Sequence, residues 1–252
     1  MMEDGLKGRV VLVTGSGRGL GAAVAIAAGA EKARVVVNCQ QDLKAAESVA
    51  TRVRKVGGEA IAYRADVTDV EQAQGLVQHV ARTWGGVDIL VNTVGSLNWK
   101  SFSDLEPAEW HRVIASNLDS VFHTCRLVLP HMREKRFGRI VNFAAVGAES
   151  TLGEPQMAAY SAAKAGVVAF SKALALEEAR RGITVNVVSP GLLQDETGNK
   201  DAKAADQMLG DRVPVGHAGR SADVIRAVLF FVTPAAEFVT GQVLEVAGGA
   251  RQ

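Results

Sequence analysis

The sequence predicts an α/β domain built on a doubly wound parallel sheet of about seven strands, with helices on both faces. Three observations predict it. Short β-branched runs alternate with long helical patterns along the whole chain. These runs lack polar alternation, as strands buried on both faces of a parallel sheet do. Right-handed crossovers then wind the sheet outward in both directions and place a ligand crevice beyond the carboxyl ends of the strands. A chain of 252 residues suits one large domain of this kind, spanning 1–252, and 48% hydrophobic residues supply a two-sided core.

The elements follow in order. "RVVLVT" (9–14) is the first strand and the alanine-rich stretch 19–33 the first helix. "RVVVN" (34–38) is the second strand, followed by a helix over 42–55 with an aspartate at its start. "EAIAYRAD" (59–66) and a helix over 70–84 come next, then "VDILVN" (87–92) and a long helix over roughly 107–133. "GRIVNFAA" (138–145), a helix over 157–181 and "ITVNVVSP" (183–190) continue the alternation. A helix near 222–232 and a strand at 241–248 close it. The polar stretch within 192–212 is too long for a routine connection and is expected to act as a lid on the substrate side.

The turn between the first strand and the first helix, "VLVTGSGRGLG" (11–21), carries the first functional signal. Gly15, Gly17, Gly19 and Gly21, with Arg18 and Leu20 between them, let backbone amides approach a pyrophosphate at a helix amino terminus. The position directly after a strand and before a helix is the context a dinucleotide site requires. The second strand ends in Asn38, Cys39 and Gln40, where a carboxylate for a ribose 2′-hydroxyl is expected. Arg18 can reach a 2′-phosphate instead, which favours NADP(H) over NAD(H). Asp66 and Val67 end the third strand, placed to flank the adenine, although a capping role competes for Asp66.

Composition excludes other classes. A formal charge of +1 gives no basic field for nucleic acid. Cys39 and Cys125 lack a C-x-x-C spacing and read as free thiols in a reducing cytosol. No membrane-length apolar run and no leading apolar segment occur, so a cytoplasmic protein is expected. The five histidines share no ligand spacing with each other or with the cysteines, so no metal is expected.

Tyr160 and Lys164 stand one helical turn apart on one face. An ammonium beside a phenol, whose ordinary pKa is ~10, stabilises the phenolate and makes the pair usable for proton transfer. With these residues the chain, from about 6 to 249, resembles the single-domain short-chain dehydrogenase/reductases. Thr14-Gly15-x-x-x-Gly19-x-Gly21 is similar to the family's coenzyme turn, Tyr160-x-x-x-Lys164 to its catalytic pair and Asn117 to its mid-helix asparagine. Asn92-Thr93-Val94-Gly95 resembles the segment after the fourth strand, and Pro190-Gly191 the segment laid along the nicotinamide. The nearest general likeness is to 3-oxoacyl-acyl-carrier-protein reductases and related carbonyl reductases.

The resemblance implies a Rossmann fold, coenzyme contacts from the named residues, and Asn117 holding a water that links Lys164 to solvent. It also implies a small-molecule or acyl-carrier-bound carbonyl substrate and a homotetramer or homodimer. One departure stands out. The family's catalytic serine falls on Ala145 counted from the strand, or near Gly147 counted back from Tyr160, so the intervening loop is about two residues longer. Ser150 or Thr151 is then the candidate replacement hydroxyl, and Glu149 the only acid expected nearby. The missing serine keeps two alternatives open: reduction of a C=N bond, as in pteridine reduction, and a catalytically silent dinucleotide-binding protein.

Overall fold

A computed structural model describes residues 5–194 and 213–250. Most of the expected lid, from 195 to 212, lies outside the described residues. Seven strands form one parallel sheet in the order β3-β2-β1-β4-β5-β6-β7. They are β1 (Val10–Thr14), β2 (Arg34–Cys39), β3 (Glu59–Arg64), β4 (Ile89–Asn92), β5 (Gly138–Phe143), β6 (Ile183–Pro190) and β7 (Val243–Val246).

Helices α1 (Gly19–Ala30), α2 (Leu43–Lys55) and α7 (Ser221–Val232) cover one face. Helices α3 (Val70–Trp84), α5 (Ser120–Lys135) and α6 (Ala158–Glu178) cover the other. The strands divide their side chains accordingly. Val11, Val13, Val35, Val37, Ile89 and Val91 pack toward α1, α2 and α7. Val10, Leu12, Val36 and Leu90 pack toward α3, α5 and α6. Residues of the central strands β1, β4 and β5 are therefore buried whichever way they point, which is why their sequences show no polar alternation.

The expected long helix over 107–133 is divided. Helix α4 (Pro107–Ile114) gives way to a π turn, Ala115–Asp119, before α5 begins. Such single wide turns recur at functional sites, and this one contains Asn117. The expected helix over 157–181 ends as a 3-10 turn, Ala179–Arg181, closed by Gly182 in the left-handed region. Sheet order reverses at β1, whose neighbours are β2 and β4. The segments that follow β1 and β4 thus leave the sheet side by side, and the crevice opens there.

Candidate active site

The glycine turn is built by close approach. A Cβ on Gly21 would meet Thr93 Oγ1 at 2.5 Å and Gly15 O at 2.9 Å, so α1 can begin against the segment after β4 only if residue 21 has no side chain. Gly19 sits at φ +55 with open space where a side chain would project, a backbone cradle fit for a phosphate. Together with Gly15, Gly17, Arg18, Leu20, Asp66, Val67 and Gly95, the turn lines a crevice of ≈ 550 Å³ at the carboxyl ends of the strands. Arg18 is exposed there and makes no ion pair among the described residues. These features fit a nicotinamide dinucleotide, which the crevice residues would hold.

Three expected contacts prove more structural than the sequence suggested. Asn38 is buried; its Oδ1 accepts from Gly15 N at 3.1 Å and its Nδ2 donates to Ala65 O at 3.0 Å. It braces the glycine turn against the end of β3. Asn92 is also buried and lies outside the crevice lining. Its Nδ2 donates to Asn142 Oδ1 at 2.9 Å, and its Oδ1 accepts from Thr124 Oγ1 at 2.8 Å. Its side-chain amide is thus engaged within the scaffold rather than lining the crevice. Asp66 combines both roles: it lines the crevice while accepting from Thr68 N, Thr68 Oγ1 and Gln40 Nε2. Burial raises its carboxyl, but those hydrogen bonds outweigh burial and hold it below its ordinary value. The cap of α3 is Asp69 instead.

A second cavity, of ≈ 430 Å³, adjoins β5 and α6 and contains Tyr160, Lys164, Pro190 and Gly191. The last two therefore border this cavity rather than the glycine-lined crevice. Among the described residues, the two cavities share no lining residue. Lys164 is buried, its Nζ 2.8 Å from Phe143 O, to which it donates, and 5.5 Å from the Tyr160 ring centroid. Burial lowers its pKa to about 8. Burial pushes the Tyr160 phenol up, opposite in direction to the depression expected from the neighbouring ammonium.

Asn117 completes the group. Its Nδ2 donates to Ser96 O at 2.8 Å and Val113 O at 3.0 Å, while its buried Oδ1 has no partner among the described residues. A Cβ on Gly95 would lie 2.5 Å from that oxygen and 3.5 Å from Lys164 Nζ. The bare glycine therefore leaves the asparagine oxygen and the lysine facing a common space, consistent with a held water.

Ala145 lines the cavity as a methyl group. Ser150 is exposed in a turn, outside the lining, with its backbone N donating to Gly147 O at 3.1 Å. That corrects the expectation of a replacement hydroxyl there: the longer loop turns outward at 150. Thr151 is likewise exposed. The lining hydroxyl, besides Tyr160, is Ser161 among the described residues. Glu149 also points away, paired with Lys172 at 2.8 Å, and the acid that lines the cavity is Glu154. Neither Ser161 nor Glu154 belongs to a spacing that signals chemistry in sequence; only the path of the loop brings Glu154 in. A larger recess of ≈ 630 Å³, lined by Lys7, Arg9 and His131 among others, lies near the amino ends of the strands, remote from this chemistry.

A doubly wound α/β sheet with a glycine cradle, and beside it a Tyr-Lys pair whose lysine is buried, defines a dinucleotide-dependent oxidoreductase. The chain belongs to the short-chain dehydrogenase/reductase family. A family profile described as enoyl-(acyl carrier protein) reductase matches residues 15–251. The 3-oxoacyl-[acyl-carrier-protein] reductase FabG of Haemophilus influenzae is 37% identical, over 97% of this chain and 98% of that protein. The 3beta-hydroxysteroid dehydrogenase 1 of Eggerthella lenta is 39% identical over 98% and 95%. A crystal structure assigned as a short-chain alcohol dehydrogenase from Sinorhizobium meliloti superposes with a TM-score of 0.89 at 29% identity, covering 97% of this chain and 96% of that one. No helix among the described residues is long and apolar enough to cross a membrane, and no cluster of candidate metal ligands occurs among them.

Proposed function

We propose that the protein is a cytoplasmic NADP(H)-dependent reductase that converts a ketone or 3-oxoacyl-type carbonyl to a secondary alcohol, with Tyr160 as proton donor. The observation that carries this reading is the meeting of Tyr160 and Lys164 on one wall of a cavity that adjoins the glycine-lined crevice, where Gly95 approaches Lys164. A bound nicotinamide supplies hydride to the carbonyl carbon. The chain's own residues do the rest. The raised phenol of Tyr160 is protonated at neutral pH and is a donor to the developing alkoxide. Lys164, with its pKa near 8, remains mostly an ammonium at neutral pH and exchanges its proton readily. Asn117 offers its unpaired oxygen to a water beside that ammonium, giving a route for proton return.

Relatives named for a 3-oxoacyl carrier-protein substrate and for a hydroxysteroid support a carbonyl–alcohol pair on an apolar skeleton. Arg18, exposed in the crevice and without an ion pair among the described residues, supports the 2′-phosphate coenzyme. Exposed Phe122 on α5 and Leu176 on α6 support association into a homotetramer or homodimer. Tyr160→Phe tests the assignment. NADPH oxidation with a ketone substrate should fall by roughly 10²–10⁴ while coenzyme binding, followed by nicotinamide fluorescence, persists. Unchanged turnover would remove Tyr160 as the acid. Ala145 favours one second reading, reduction of a C=N bond, where alignment of a substrate oxygen matters less. A parallel screen of ketones and pterins separates the two.

A further inference from the structure

Two acids lie on the loop between β5 and α6, and they face different surroundings. Glu149 is neutralised by Lys172 on the outside. Glu154 is half-buried, lines the cavity that holds Tyr160, and makes no side-chain hydrogen bond or ion pair among the described residues. The same cavity carries apolar surface that is exposed among the described residues: Leu97 is 54% exposed and Trp99 58% exposed, and both line it. A backbone bond, Lys100 N donating to Gln156 O at 2.9 Å, ties the Trp99 segment to the Glu154 loop. Lys164, the cation of the cavity among the described residues, is engaged by Phe143 O. The cavity thus offers a broad apolar surface and one carboxylate whose hydrogen-bonding capacity is unmet.

We infer that Glu154 is a specificity-determining residue that selects a ketone whose apolar skeleton carries a hydrogen-bond donor, a hydroxyl or an ammonium, and rejects substrates with an anionic group at that place. The inference rests on the reductase reading and names its substrate class. An unpaired carboxylate in a partly desolvated pocket gains a charge-assisted hydrogen bond from a donor. It repels a second carboxylate by the same low-dielectric logic, so discrimination arises from both attraction and exclusion. The skeleton lies against Leu97, Trp99, Leu152 and Met157, whose apolar surface it removes from water.

The test uses the full chain with NADPH and four matched ketones: 4-hydroxy-, 4-amino- and 4-methylcyclohexanone and 4-oxocyclohexanecarboxylate. Wild type should prefer the hydroxy or amino ketone to the carboxylate by roughly tenfold or more in kcat/KM. Glu154→Gln should keep a preference for the hydroxyl and lose that for the ammonium. Glu154→Leu should lose both and gain on the carboxylate. The two donors separate the two sources of the same chemistry.

Calorimetric binding of the corresponding alcohols, cyclohexane-1,4-diol, 4-aminocyclohexanol and 4-hydroxycyclohexanecarboxylate, gives a readout independent of turnover. Glu154-dependent binding without reduction of any ketone would uphold the selectivity and overturn carbonyl reduction. Reduction of all four with ratios identical in wild type and Glu154→Leu would overturn the role of Glu154 and leave the reductase reading standing.

Discussion

At the scale of single residues, burial sets the chemistry. Lys164 has no carboxylate partner, and its pKa falls from 10.5 to about 8 because its ammonium is removed from water. Between those values the unfolded chain binds the extra proton and the folded chain does not, so the lysine's contribution to stability rises with pH across the window. Lys164→Met should therefore gain most over wild type below pH 8, and the gain should shrink by on the order of 3 kcal/mol toward pH 10.5, measured by urea unfolding without coenzyme. A pH-independent difference would show that the ammonium is not desolvated. Ala145 marks a different deficit. A pre-aligned donor at an oxyanion is worth roughly 2.7–4 kcal/mol, so Ala145→Ser should raise kcat/KM on simple ketones by at least about tenfold. No gain would point to Ser161 as the hydroxyl already in place. The glycines, Tyr160 and Lys164 were legible in sequence because their spacing alone dictates their geometry. Glu154 was not, since which way a loop turns depends on packing, and Ser161, on α6, was not because no spacing distinguishes it from any other helical serine. The bracing roles of Asn38 and Asn92 were not legible either, because only the buried partners of their amides reveal them; Asn38 lines the crevice as well.

At the scale of elements, hydrophobic period and capping chemistry carried most of the fold. Helix α3 spans the expected 70–84, and the reason is local. Asp69 accepts from Glu71 N and Gln72 N at its start, and Gly85 adopts the left-handed conformation at its end. Asp69→Ala should cost about 1 kcal/mol of unfolding free energy, whereas Asp69→Asn should cost little because an amide oxygen caps equally well. The expected 107–133 helix is present but interrupted by a π turn, for the opposite reason. No residue type announces a π turn, and the widening at Ala115–Asp119 is tied to tertiary bonds from Asn117 to Ser96 O on a neighbouring segment. Sequence period cannot register a partner that arrives from another part of the chain.

At the scale of the molecule, the coenzyme couples to the whole fold through mass action. NADPH at 100 times its Kd should stabilise the folded chain by about 2.7 kcal/mol and raise Tm by roughly 5–10 °C, with NADH giving less at equal concentration. Arg18→Ala should bring the two shifts together, as read by scanning calorimetry. An equal response to both nucleotides in wild type would remove the 2′-phosphate role of Arg18. The sheet order itself was legible as a doubly wound type, because right-handed crossovers leave few ways to connect seven buried strands. The two recesses at its carboxyl edge, one glycine-rich and one apolar, draw on separate sets of side chains. Substitutions at Leu97, Trp99 or Leu152, which line the apolar recess and lie outside the glycine-rich one, should therefore alter the choice of ketone with little change in coenzyme affinity.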